Sequence, residues 1–211
     1  MMSKQSVAYH SSMTRPEEAL GVQRTEVGNS VALVADLGHG LPNEFHACDV
    51  LYCEPAWQRG YDRFLERAGG GVSFDEYMGA FARIAADSLS GKAPPMILIV
   101  GRAALRMLPK PTSQADVNLN TGGRFIAEAV AVSYGRKLPA VKTRHRDWSN
   151  IDTENLLRTL AKKYRRVGDP SCGYGNTGRI FAEAGREFVM SDVNATCIGH
   201  IAERAGEWHG R

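Results

Sequence analysis

The sequence predicts an α/β fold with a mainly parallel sheet, and three observations carry the prediction. Short, β-branched apolar runs alternate along the chain with stretches whose apolar residues recur at helical spacing. The run Met96-Ile97-Leu98-Ile99-Val100, between Pro95 and Gly101, is apolar without interruption, as a strand covered on both faces must be. Near the end of the chain a glycine-rich turn stands between a strand-like and a helix-like segment.

Taken in order, residues 1–27 are polar and unpatterned and are expected to form a loose segment ahead of one domain over residues 28–211. Structure is expected from Ser30, with "VALVA" (31–35) as the first strand, "LGHGLPNEF" as a turn-rich connector and "DVLYC" (49–53) as the second strand. Gly69, Gly70 and Gly71 mark a mobile connection. Ser73 then N-caps an amphipathic helix over 74–88, with Tyr77, Phe81, Ile84 and Ala85 on its apolar side. "PKPTSQADVNLNTGG" is expected as loop and "RFIAEAVAVSY" (124–134) as a strand. "TENLLRTLAKKY" (153–164) predicts a helix, 166–169 a strand, 179–184 a helix and "EFVMSD" (187–192) a last strand.

Composition narrows the class. With 43% hydrophobic and 23% charged residues and a net charge of +3, the 211-residue chain is of ordinary globular type. Its charge is uneven: between Arg102 and Arg166, Lys and Arg outnumber Asp and Glu nearly three to one. The four cysteines, Cys48, Cys53, Cys172 and Cys197, form no Cys-x-x-Cys pair and have no His at ligand spacing, so no metal site is expected. No signal-peptide core and no long apolar run occur, which predicts a soluble, cytoplasmic protein with no membrane partner.

"DPSCGYGNTG" opens the stretch that carries chemistry. Gly173-Tyr174-Gly175-Asn176-Thr177-Gly178 satisfies Gly-x-Gly-x-x-Gly between a strand and a helix, and Asp192 closes the next strand. Such glycines let backbone approach a ligand, and the acid suits two ribose hydroxyls. The short tail after Asp192 leaves no room for a second dinucleotide half, and Asp169 ahead of the glycines would repel a pyrophosphate. An NAD-dependent oxidoreductase is therefore disfavoured, whereas a cationic ligand bearing adenosine, such as S-adenosylmethionine (SAM), would be attracted.

These residues resemble a known family. "DPSCGYGNTG" is similar to the cofactor motif Asp-Pro-Phe-Cys-Gly-Ser-Gly-Thr-Thr-Gly of the amino-methylating DNA methyltransferases, and "CEPAW" (53–57) to their catalytic motif Asp-Pro-Pro-Tyr/Phe/Trp. The catalytic-like motif comes first, the circularly permuted order of one branch, and the resemblance extends over roughly residues 31–205. It implies a Rossmann-like fold with a seven-stranded sheet, helices on both sides and one antiparallel edge hairpin. It implies SAM as cofactor, with Asp169, Ser171, Gly173 and Gly175 cradling the methionine end, Asp192 on the ribose, and Asp36 or Leu37 beside the adenine. It implies Glu54, Pro55 and Trp57 as the catalytic group and a DNA base amino group, adenine N6 first, as acceptor. DNA would be single-stranded or offer a flipped base.

The exocyclic nitrogen is a poor nucleophile, and acceptors on its N–H groups, from an acid and the proline carbonyl, favour rehybridisation as the methyl arrives; Trp57 would stack on the base. Glu54 and Ala56 depart from the family pattern, which has a shorter Asp, Asn or Ser and a second proline. The added methylene displaces the carboxylate by about 1.5 Å. Three outcomes stay open: a methyltransferase with a displaced backbone, a transferase with another acceptor or group, and a retired SAM-binding regulatory module. Only about 50 residues separate "ILIVG" from the helix that leads into the cofactor motif, too few for a separate target-recognition domain. Specificity is expected to be relaxed or supplied by a homodimer or a partner. Tyr61 and Phe64, His145 and Trp148, and the basic run 136–146 are secondary candidates, each as readily core or surface. Cys53, inside its strand, reads as core rather than nucleophile.

Overall fold

The computed structural model describes residues 23–55, 73–120, 126–140 and 151–210. Nine strands are described: β1 Arg24–Val27, β2 Ser30–Val34, β3 Val50–Cys53, β4 Met96–Val100, β5 Ser113–Asn120, β6 Ile126–Tyr134, β7 Ile151–Asp152, β8 Arg166–Asp169 and β9 Glu187–Asp192. The helices are α1 Phe74–Ser90, α2 Thr153–Lys163, α3 Asn176–Glu183 and α4 Ala195–Arg204. One sheet contains every strand, in the order β1-β2-β9-β8-β3-β4-β6-β5-β7. From β2 to β4 all neighbours are parallel, while β1 and β6 join antiparallel.

The sheet therefore has nine strands where seven were expected. Six of the nine were read from the residues; β1, β5 and the two-residue β7 were not, and β1 and β7 are the edges. β1 forms a hairpin with β2 through a Gly28-Asn29 turn, Gly28 lying at φ 59°. β5 lies in the stretch expected as loop and pairs antiparallel with β6 from Ser113↔Ser133 to Asn120↔Ile126. Its Gln114 and Asp116 are exposed while Ala115 and Val117 turn inward, the period-two pattern of a half-covered strand. α4 was also unforeseen; Asn194 caps it by accepting from Thr196 N at 2.9 Å, and Cys197, Ile198 and Ile201 make its buried side.

Strand alternation divides the core into two layers. Leu51, Cys53, Met96, Leu98, Val100 and Val189 face α1, which contributes Met78, Phe81, Ile84 and Ala85. Val50, Tyr52, Ile97, Ile99, Phe188 and Met190 face α2, α3 and α4. α1 is the helix foreseen, two residues longer: Ser73 and Glu76 form a reciprocal capping box, and Gly91 ends it at φ 77°. At the amino edge of the sheet, Oδ2 of Asp49 accepts from Arg165 N at 2.7 Å and Arg166 N at 2.9 Å, which fixes β8 beside β3.

That adjacency creates the site. From β3 the chain crosses through α1 to β4 on one side, and from β8 through α3 to β9 on the other. The strand order reverses between β3 and β8, and in open α/β sheets the crevice beyond the carboxyl ends at such a point receives the ligand.

Candidate active site

Four acids stand at the carboxyl ends of four adjacent parallel strands. Across the sheet the order is Asp36 after β2, Asp192 ending β9, Asp169 ending β8 and Glu54 after β3. The catalytic-like and glycine-rich motifs, over a hundred residues apart in sequence, thus meet at one edge.

Asp169 is buried. Its Oδ2 accepts from the Thr177 hydroxyl at 2.6 Å and its Oδ1 from Ser171 N at 3.2 Å. Burial pushes its carboxyl up to about 7; the Thr177 and Ser171 bonds oppose that rise, and the negative charges of Asp192 and Glu54 add to it. Asp192 accepts at Oδ2 from Gly173 N and at Oδ1 from Asn194 N, both at 2.9 Å. Its first duty is to tie the glycine loop to β9, and burial raises its carboxyl against those two bonds. The loop is stitched further by Cys172 N to Ser191 O at 3.0 Å and Ser191 Oγ to Pro170 O at 3.3 Å. Among the described residues the buried Ser171 hydroxyl has no hydrogen-bond partner, which leaves one polar group of the loop uncommitted.

The two glycines assigned to the cradle differ. At Gly173 (φ 50°) a Cβ would meet nothing within 4 Å, so its backbone faces open space. At Gly175 (φ 83°) a Cβ would lie 2.8 Å from Cγ1 of Ile201 and 3.1 Å from Cη2 of Trp208. Glycine at 175 therefore serves the packing of α4 and the following turn.

Asp36 is exposed and turned to its own backbone, accepting from Gly38 N at 2.7 Å as the cap of a 3-10 turn over Leu37–His39. Leu37 packs against the α1 layer, and the Arg83 guanidinium from α1 reaches the carbonyls of Leu37 and Gly38 at 3.5 and 3.4 Å.

Glu54 is half-buried and Pro55 buried. Burial lifts the Glu54 carboxyl above the usual carboxylate range, and the Tyr52 hydroxyl, 3.4 Å from Oε2, partly offsets the rise. Cys53 is fully buried with its thiol raised well above normal, so it is core, as expected. Trp57, Ala56, Tyr61, Phe64, His145 and Trp148 lie outside the described residues. Of the basic run, Arg136 and Lys137 are described; they follow β6 where Tyr134 pairs with Met96, at the amino end of β4 and so away from Glu54.

Sequence reasoning missed Thr177 and Tyr52. The i, i+2 spacing of Tyr52 and Glu54 was a usable signal, because strand residues two apart share a face; nothing local links Thr177 to Asp169. Among the described residues no cluster of His, Cys, Asp or Glu could hold a metal ion, and no helix is long and apolar enough to cross a membrane.

Fold and edge together define an open α/β sheet with a ligand crevice at the reversal of its strand order. M1.HpyAVI is similar with a TM-score of 0.52 over 82% of this chain and 97% of that one, at 12% identity. The M1.HpyAVI-SAM complex gives 0.50 over 82% and 98%, at 11% identity. TTHA0409 of Thermus thermophilus, complexed with S-adenosyl-L-methionine, gives 0.49 over 84% and 93%, at 13% identity. The first two establish the shared fold. No protein-family model matches the sequence, and no curated protein sequence does.

Proposed function

We propose that the protein is a SAM-dependent methyltransferase acting on an exocyclic amino group of a DNA base, adenine N6 first. The observation that carries the reading is the row Asp36, Asp192, Asp169 and Glu54 along the carboxyl edge, with Asp169 and Glu54 on either side of the reversal of strand order. A row of carboxylates beside a glycine loop suits a ligand with a positive charge and a ribose, and disfavours a pyrophosphate. The shared fold of the M1.HpyAVI-SAM complex supports the same cofactor. The motifs "DPSCGYGNTG" and "CEPAW", in permuted order, support the amino-group acceptor and DNA as partner.

The residues fit SAM. The buried Asp169 and uncommitted Ser171 hydroxyl offer acceptors to its ammonium group, the open side of Gly173 admits close approach, and each Asp192 oxygen keeps a lone pair for ribose. When bound, SAM supplies an electrophilic methyl group on a sulfonium. Glu54 and the Pro55 carbonyl accept the N–H groups of the base, orienting the nitrogen lone pair and stabilising positive charge that grows on it. Trp57 stacks on the base, which is flipped out or single-stranded. Sequence specificity comes from a second copy or a partner, or is relaxed.

The test is mass spectrometry of nucleosides from DNA and RNA exposed to the protein and SAM. N6-methyladenine in DNA is the expected product, and another methylated amino base would redirect the acceptor. SAM binding by calorimetry with no modified nucleoside in either nucleic acid would overturn the reading in favour of a SAM-binding module without turnover, which draws support from Glu54 and Ala56.

A further inference from the structure

We propose that Tyr52 is a positioning residue for Glu54: its hydroxyl draws the longer acid back against the end of β3, so that glutamate serves where a shorter acid would otherwise stand. The inference deepens the proposed function and rests on Glu54 being the acceptor there.

Strand geometry supplies the first step. Tyr52 lies on the α2–α4 side of β3 and Cys53 points into the α1 layer, while Glu54, just past the strand's end and about 6.6 Å further along extended chain, brings its carboxylate to the Tyr52 hydroxyl. A tyrosine at position 52 spans that gap and an aliphatic residue does not. The ring of Tyr52 is 1% exposed and packed among the side chains facing α2, α3 and α4, so it cannot swing away.

Chemistry supplies the second. The groups acting on this part of the edge are Glu54, Asp169 and, beyond it, Asp192, all acidic. The phenol is held well above its usual ionisation range, first by burial and then by the charges of Glu54 and Asp169, so it stays a donor at any working pH. It is the donor to Glu54 among the described residues, at 3.4 Å. That length is long for O–H···O, and its effect is on orientation more than on energy. Glutamate has three side-chain torsions, and among like charges a fixed donor selects one arrangement. An aspartate would be about 1.5 Å shorter and would have no need of it.

Two measurements test this. Tyr52→Phe removes one oxygen from a buried ring and is expected to fold as the parent does. Carboxyl-13C NMR titration, with Glu54→Gln used for assignment, is expected to show the Glu54 midpoint at higher pH in Tyr52→Phe. Replacing Tyr52 by 3-fluorotyrosine, a stronger donor, is expected to move it lower. An unchanged midpoint in both proteins overturns the proposal.

In methyl transfer, Tyr52→Phe is expected to lower kcat roughly tenfold with the KM for SAM unchanged, and to have little further effect on Glu54→Asp. Independent, multiplying effects of the two substitutions would also overturn it. Absence of transfer by the parent protein would defeat the functional reading, and the titration would still decide the Tyr52–Glu54 coupling.

Discussion

The hydroxyl of Thr177, in the first turn of α3, donates to Oδ2 of Asp169 at the end of β8 across 2.6 Å. The bond closes the glycine loop from within and gives the buried acid a partner that favours its charged form. Thr177→Val keeps the shape and removes the donor, at an expected cost of about 1–3 kcal/mol. Because the bond favours the ionised carboxylate, the cost is expected to be larger at pH 8.5 than at pH 5. Urea denaturation at the two pH values checks it; equal losses would mean that the bond does not discriminate protonation states.

Asp169 also sets a pH dependence of stability. Its carboxyl titrates at about 7 in the folded protein against 3.8 ordinarily, so between those values the folded chain holds a proton that the unfolded chain has released. The stabilisation is fully present below the unfolded value and is lost as pH rises through about 7. Asp169→Asn is expected to flatten this part of the stability curve, measured by urea denaturation at pH 5, 6, 7 and 8. A curve parallel to that of the parent protein would exclude Asp169 as its source.

A cation placed beside Asp169 favours loss of that proton. SAM binding at pH 6 is therefore expected to release a proton, seen in calorimetry as a heat that changes with the ionisation enthalpy of the buffer. At pH 8.5 the carboxyl is already ionised and this proton release is expected to be lost. A dependence of the same size at both pH values would place the titrating group elsewhere.

The loop glycines are expected to separate by function. Gly173→Ala meets only the left-handed backbone at φ 50° and is expected to cost about 1 kcal/mol in stability. Its methyl group enters open space, so SAM affinity is expected to fall more than stability does. Gly175→Ala adds a collision with Ile201 and Trp208, and Gly178→Ala one with Met190 and Phe188, each expected to cost about 1–3 kcal/mol through overpacking. Thermal melts with and without SAM distinguish the two behaviours.

Apolar patterning and capping made much of the fold legible. β4, β8, β9 and α1 were expected within two residues of their observed bounds, because buried strands and a capped amphipathic helix leave continuous or periodic apolar signals. β1, β5, the two-residue β7 and α4 were not foreseen. β1 is short and charged, with Arg24 and Glu26 paired to each other at its surface, and its hairpin signal was the dipeptide Gly28-Asn29 alone. The alternation in "SQADVNLN" was readable, but polar residues on its open face made it resemble a loop. The acids of the site were legible through motif position, whereas what each accepts was not.

The sequence by itself determined which residue types stand at the strand ends: a carboxylate and proline after β3, and an acid, a glycine loop and a second acid around β8 and β9. Local chemistry is enough for that, since turn residues and strand patterning act over a few positions. Only the tertiary structure decided that β3 lies beside β8, that Asp192 holds the glycine loop and Thr177 the buried Asp169, and that Tyr52 faces Glu54. Strand order and burial arise from contacts between segments distant in the chain, and burial is what turns ordinary carboxyls into groups with altered protonation.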